Sequence, residues 1–308
     1  MRKQIVVFGS YVTDLTAFAP QLPVPGQTIL GKYFRSGPGG KGSNQAIAIH
    51  RTGEDVTLIT KLGKDALGEM AQAFYQNEAM EMKGILIDQS YETGAALIIV
   101  DEKTAQNEIV VTLGACEHFT EEDISYTKEV LADADIVLAQ LETNLEATEA
   151  VIKYAKSRGI LTILNPAPAK QLNDELLRSV DILTPNETEA ASLTGLSVNN
   201  KDQTSVRKAA QNLLDRGVGK VVITLGEMGA YATDGSQEMF VSPIRIGQVV
   251  DTTGAGDAFN GGLASGLAQG MTFFQATKYA SVVSSLAVTK MGTAPSMPYK
   301  QEIMKYYN

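Results

Sequence analysis

The residues best placed to do chemistry lie in Val250-Asp251-Thr252-Thr253-Gly254-Ala255-Gly256-Asp257-Ala258-Phe259-Asn260-Gly261-Gly262. Small residues at 254–256 let the chain turn tightly into a helix, whose first amides have no partner within it. Free N–H groups and the positive end of the helix dipole make an anion site, with Gly254, Ala255 and Gly256 supplying the amides. Asp257 then sits in the first turn, beside whatever anion binds. A carboxylate repels a phosphate, so its presence makes most chemical sense if it accepts a proton from an attacking hydroxyl. With a pKa of about 3.9, an ordinary aspartate cannot deprotonate a free alcohol in advance. Phosphoryl transfer does not require that: positioning and charge neutralisation supply most of the rate, and the proton moves late. The other reading is an aspartate that simply caps a helix.

A second segment, Gly37-Pro38-Gly39-Gly40-Lys41-Gly42-Ser43-Asn44-Gln45-Ala46, opens a helix expected to run to about Arg51. It is not a phosphate-binding P-loop, because position 35 is not glycine and Lys41 is followed by Gly42 where Ser or Thr is needed. Gly26 to Lys32 is another near miss, ending in Tyr33. Gly39 and Gly40 allow close approach of a polar ligand, and Asn44 offers a donor and an acceptor, as a sugar would require. The alternative is a glycine-rich turn with a solvated lysine. In Pro185-Asn186-Glu187-Thr188-Glu189, Asn186 and Glu189 share a helical face. An amide and a carboxylate there can hold phosphate oxygens and a hydrated magnesium ion, or merely start a helix. Val221 to Thr224 leads into Leu225-Gly226-Glu227-Met228-Gly229, a glycine turn that suits either a ligand at a carboxyl strand end or a plain connection.

These segments need elements to hold them. Short apolar runs at Ile5–Gly9, Val56–Thr60, Ile136–Gln140, Leu161–Asn165, Asp181–Thr184 and Val221–Gly226 alternate with helical patterns such as Leu145–Arg158 and Val206–Arg216. That alternation predicts an α/β fold, a doubly wound and mainly parallel sheet with helices on both faces. Two regions break it, with β-type patterns such as Ala96–Val100 and Glu108–Val111 and no helix between. They are expected to pair into a small antiparallel sheet, a lid over a ligand or a plain extension of the edge. The expected division is a core of residues 1–12, 39–93 and 116–308 carrying the sites, and a lid of 13–38 and 94–115.

The 308 residues are 44% hydrophobic and 20% charged, enough to bury one sizeable core. A net charge of -9 with dispersed Lys and Arg gives no footprint for nucleic acid. Cys116, the single cysteine, excludes an internal disulfide and suits a reducing compartment, so the cytoplasm is expected. Met1–Gln4 runs straight into Ile5–Gly9, too short for a signal peptide, and no apolar stretch is long enough to span a membrane. The first strand carries only Gly9, not the three-glycine fingerprint of a nicotinamide-linked oxidoreductase. His50 and His118 lack ligand spacing, and Thr120 before Glu121-Glu122-Asp123 reads as a capped helix start.

In this order and at these separations, the four segments resemble the ribokinase family of carbohydrate kinases, also called the phosphofructokinase B family, over nearly the whole chain. Gly-Gly-Lys-Gly-x-Asn paired with Asp-Thr-x-Gly-Ala-Gly-Asp carries the likeness. Asn165-Pro166-Ala167-Pro168-Ala169 and Thr184-Pro185-Asn186-Glu187 are similar to its ribokinase and deoxyribokinase branch. The resemblance implies ATP-dependent phosphorylation of a sugar hydroxymethyl group, ribose to ribose 5-phosphate, in a homodimer joined through the lid. It casts Asp257 as base, and Asp14, Gly40, Lys41, Asn44 and Glu142 as sugar contacts. Asn186, Thr224, Gly226, Gly229 and Ser281 fall on the nucleotide, and Glu189 on magnesium. Potassium would be held, mostly by carbonyls, at Asp251, Thr253, Ala287, Lys290, Gly292 and Ser296. The chain departs from ribokinases at Val12, where they place an asparagine that can bond a sugar hydroxyl. An apolar wall there suits 2-deoxyribose, or packs under the lid while another group makes the contact. A nucleoside or ketose-phosphate kinase of the same family and a non-catalytic sugar sensor are the competing readings.

Overall fold

A computed structural model describes residues 2–104 and 106–307; Met1 and Asn308 at the ends of the expected core, and Ala105 in the expected lid, lie outside the described residues. The first strand, β1 (Gln4–Phe8), sends Ile5 and Val7 into one apolar cluster and Val6 and Phe8 into another. All four side chains are fully buried, as befits a strand covered on both faces. The chain continues through β2 (Val12–Ala19), β3 (Tyr33–Gly39), α1 (Lys41–Arg51), β4 (Asp55–Gly63), α2 (Ala66–Asn77) and β5 (Ile85–Asp88). Next come β6 (Thr93–Asp101), β7 (Asn107–Gly114), α3 (Glu121–Val130), β8 (Ile136–Ala139) and α4 (Leu145–Ser157). After β9 (Leu161–Leu164), α5 (Asp174–Leu177), β10 (Ile182–Leu183), α6 (Glu187–Thr194) and α7 (Gln203–Asp215) it reaches β11 (Lys220–Thr224). The last elements are β12 (Ala230–Thr233), β13 (Glu238–Val241), α8 (Ala255–Ala268), α9 (Phe273–Ala287) and α10 (Lys300–Ile303).

The large sheet has the order β13-β12-β11-β10-β9-β8-β1-β4-β5. Every pair from β11 to β5 is parallel, and β12 and β13 add an antiparallel edge. Helices α1, α2, α8 and α9 pack on one face, and α4 to α7 on the other. Periodicity explains the packing: Val206, Ala209, Ala210 and Leu213 form the buried stripe of α7, and Ala147, Val151, Ile152 and Ala155 that of α4. The start of α3 follows its sequence: Asp123 N–H donates to Thr120 Oγ1 at 3.2 Å, and Thr120 N–H donates to Asp123 Oδ2 at 2.8 Å. His50 Nε2 lies 2.8 Å from the Glu78 carbonyl oxygen, and His118 stacks on Tyr91.

The small sheet has the order β3-β2-β6-β7, and it is mixed where an antiparallel one was expected. β2 runs parallel to β6, from Val12 opposite Gly94 to Ala19 opposite Asp101, while β3 and β7 pair antiparallel on either side. The reason is connectivity: between β2 and β6 the chain passes through α1, β4, α2 and β5, a crossover long enough to return it in the same direction.

One contact sets how closely the two site-bearing helices approach. A Cβ on Gly261 of α8 would stand 2.5 Å from the Ala48 Cβ of α1 and 2.9 Å from the Gln45 carbonyl oxygen. Only glycine lets the backbones meet there.

Candidate active site

Parallel strands of an open sheet leave a crevice beyond their carboxyl ends. Here Ser10 follows β1, Gln140 and Glu142 follow β8, Asn165 follows β9, Thr184 and Asn186 follow β10, and Gly226 follows β11. Helices α1 and α8 bring their first turns together at the same place. Asp257, in the first turn of α8 and 7% exposed, accepts from Asn44 Nδ2 at Oδ2 and from Gln45 Nε2 at Oδ1, both at 2.9 Å. Burial pushes the Asp257 carboxyl up from its ordinary pKa, against the Lys41 ammonium and the two amides, which favour the charged form. Asn44 Oδ1 is buried and has no partner among the described residues, which leaves an acceptor free beside Asp257.

Gly254 is the N-cap of α8. The amides of Gly254, Gly256 and Asp257 have no acceptor among the described residues, whereas Ala255 N–H reaches the Thr252 carbonyl at 3.2 Å. Three unspent donors at a helix start make an anion cradle. At the start of α1, Gly40 has a φ of 86°, and a Cβ there would fall 2.6 Å from the Val12 nitrogen. Both facts require glycine at that turn.

Glu142 Oε2 accepts from Ser10 Oγ at 2.6 Å and from Lys41 N–H at 2.9 Å, with Lys41 Nζ 3.8 Å from Oε1. Burial pulls the Lys41 ammonium down, and Asp257, Glu142 and Glu189 together outweigh it, leaving its pKa raised. Asp14, on β2, accepts from Thr293 Oγ1 at Oδ2, 3.1 Å, and the same hydroxyl reaches the Pro38 carbonyl at 2.9 Å. The Asp14 carboxyl is pushed up to about 6, by burial first and by Glu142 and Asp257 further, while Thr293 and Arg35 act the other way. Val12 is buried in the same strand, opposite Gly39 of β3.

Gly256 lines a cleft of about 850 Å³ together with Thr224, Gly226, Gly229, Thr252 and Ser281. Lys201 and Arg245 also face it, cations that the sequence reading did not single out. Asn186 is not on its wall but is bridged to Thr224, and its amides hold Glu189: N–H donates to Oε2 at 2.9 Å and Nδ2 to Oε1 at 3.1 Å. Burial raises the Glu189 carboxyl, which faces both Lys41 and Asp257.

Two loops meet beside α8. Asp251 accepts from Thr253 N–H and from Gly292 N–H, each at 2.9 Å, and so ties them together. The Ala287 carbonyl accepts from Lys290 N–H at 3.1 Å, Lys290 Nζ pairs with Glu302, and Ser296 Oγ donates to the Thr293 carbonyl at 2.7 Å. Among the described residues no group of three or more His, Cys, Asp or Glu could cage a metal ion. The structure adds Gln45, Ser10 and Thr293 to the residues read from sequence. Gln45, beside Asn44 in the motif, carried the one usable signal: a second adjacent carboxamide.

Comparison with known proteins fits this geometry. The family model described as pfkB family carbohydrate kinase matches residues 2–300. A ribokinase of Haemophilus influenzae is 37% identical over 306 residues, covering 99% of each chain. A deoxyribokinase of Salmonella typhi is 34% identical over 310 residues, covering 98% of each. A solved ribokinase of Arabidopsis thaliana, complexed with ribose and ATP, superposes with a TM-score of 0.90 at 30% identity, over 99% of this chain and 98% of that one. With its crevice, its paired helix starts and this match over nearly all its length, the chain belongs to the pfkB family of carbohydrate kinases.

Proposed function

We propose that the protein transfers the γ-phosphoryl group of ATP to the hydroxymethyl oxygen of ribose, with Asp257 receiving the hydroxyl proton. The observation that carries this is the Asp257 corner: a buried carboxylate held by two amides, next to unspent helix-start N–H groups at the mouth of a nucleotide-sized cleft. The sugar oxygen bonds to the γ-phosphorus, the bond from phosphorus to the β-phosphate oxygen breaks, ADP leaves, and the hydroxyl proton passes to Asp257. Asn44 Oδ1, Lys41, Glu142 and Asp14 orient the sugar, and the amides of Gly254, Gly256 and Asp257 receive the charge that develops on the transferred group. The ribokinase relatives and the ribose–ATP complex of one of them support this substrate choice.

Glu189, with lone pairs left beyond its two amide contacts, would hold a hydrated magnesium ion that neutralises phosphate charge. Potassium would be held, mostly by carbonyl oxygens, at Asp251, Thr253, Ala287, Lys290, Gly292 and Ser296, on two loops that the Asp251 carboxylate ties together. Leu97 and Val110, opposite one another on β6 and β7, stand 57% and 64% exposed on one face of the small sheet, an apolar patch suited to the homodimer. No helix of the described residues is long and apolar enough to cross a membrane, and we place the enzyme in the cytoplasm on its single buried cysteine. The division into a core of 1–12, 39–93 and 116–308 and a lid of 13–38 and 94–115 is retained as part of this proposal.

A second acceptor, 2-deoxyribose, is favoured by buried Val12, which offers no hydrogen bond, and by the deoxyribokinase relative. A coupled assay of ADP release across ribose, 2-deoxyribose, fructose and nucleosides, with and without potassium, tests both. Turnover of a nucleoside or of fructose alone would remove the proposal.

A further inference from the structure

Of the two donors on Asp257, one has no part in the sugar site. Gln45 is fully buried, and its Nε2 donates to Asp257 Oδ1 at 2.9 Å and to Asn165 Oδ1 at 3.2 Å. A carboxamide can present either end to a neighbour. Here the choice is forced from a group without that freedom. The main-chain carbonyl of Thr184 can only accept, and Asn165 Nδ2 donates to it at 3.0 Å. Asn165 must therefore turn its oxygen to Gln45, which must turn its N–H toward Asn165 and Asp257. Gln45 Oε1 then accepts from Gln140 Nε2 at 2.6 Å. The run ends at Gln140 Oε1, buried and without a partner among the described residues.

We infer that Gln45 is a positioning residue of the phosphoryl transfer, its orientation set by Asn165 and the Thr184 carbonyl so that it delivers an N–H to Asp257. The inference rests on Asp257 being the proton acceptor. A neutral donor aimed at a buried carboxylate keeps it ionised and holds its second oxygen in place. The other charges facing Asp257 are Lys41 of α1, Glu142 after β8, Asp14 of β2 and Glu189 of α6, and Gln45 touches none of them through a hydrogen bond. Losing one donor to a buried anion shifts its proton affinity by about one to two pH units.

The test is the pH profile of kcat at saturating sugar and ATP. In Gln45→Met, which keeps length and loses the donor, the acidic limb is expected to move up by about one to two pH units, with KM for both substrates within about threefold of the parent. Should that variant fail to fold, Asn165→Leu poses the same question one link away, and its limb should move the same way by less. Asp257→Asn is measured alongside. Parental kcat in Asp257→Asn would remove the reading of the base itself. An inactive Asp257→Asn with an unmoved limb in folded Gln45→Met or Asn165→Leu would overturn only the role of Gln45.

Discussion

Asp257 and Asp14 lie near enough for the charge of the first to raise the pKa of the second, one rooted in the α/β core and the other on a strand of the small sheet. Asp257 is gripped at both oxygens by amides of α1, a helix whose backbone touches its own. Asp14 accepts a single hydroxyl from Thr293, which also ties β3 through the Pro38 carbonyl. Burial raises the pKa of both carboxyls, yet only the core carboxylate has every oxygen engaged. The contrast is one of restraint: the core carboxylate has both oxygens held, whereas the carboxylate on β2, a strand paired on both sides, has one oxygen held by a single hydroxyl.

The largest break in that comparison is Asp257→Asn, which keeps the side chain's size but removes its charge and one of its two acceptor oxygens. We expect kcat to fall by about 10²–10⁴ with sugar KM little changed, measured by ADP release. Near-parental turnover would show that the core carboxylate is not the base. Next is Asp14→Asn, expected to raise sugar KM by about tenfold or more while leaving ATP KM alone. The same variant has a stability consequence. A carboxyl whose pKa rises on folding, here from 3.8 to about 6, makes the native state bind more protons between those values, so stability falls as pH climbs through that window. Removing the charge should therefore raise the melting temperature at neutral pH and make little difference at the acid end. Equal shifts at both ends would mean that Asp14 ionises at no cost.

Thr293→Val cuts the single tether. Sugar KM should rise about threefold to tenfold, and the acidic limb of kcat/KM for the sugar should move to higher pH, because an anion loses its donor. A limb that stays in place would mean the hydroxyl serves Pro38 alone. The smallest effect is expected from Val12→Asn, which should tilt the rate ratio of ribose over 2-deoxyribose a few-fold toward ribose. An unchanged ratio would mean that this side chain only packs beneath the small sheet.

What could be read from the sequence was what is local. The α/β core followed from apolar runs such as Ile5–Gly9 alternating with helical stripes, and the Asp257 turn followed from small residues just before an acid. What could not be read was pairing across distance. Gln45 and Asp257 are 212 positions apart, and Asp14 and Thr293 are 279 apart. Nothing in either segment names the other. The parallel pairing of β2 with β6 escaped for the same reason: alternation gives a strand its faces but not its partner's direction. Lys201 and Arg245 enter the cleft from loops whose sequence shows only scattered cations.

Gly261 has an effect that reaches beyond its own turn. Because main chain meets main chain at the crossing of α1 and α8, the spacing between the carboxamides of Asn44 and Gln45 and the carboxylate of Asp257 is gauged by two packed rods. On the proposed reaction, a lone methyl at 261 would wedge the rods apart and slow transfer to every acceptor alike, whereas changes at Val12 or Thr293 would leave that spacing as it is.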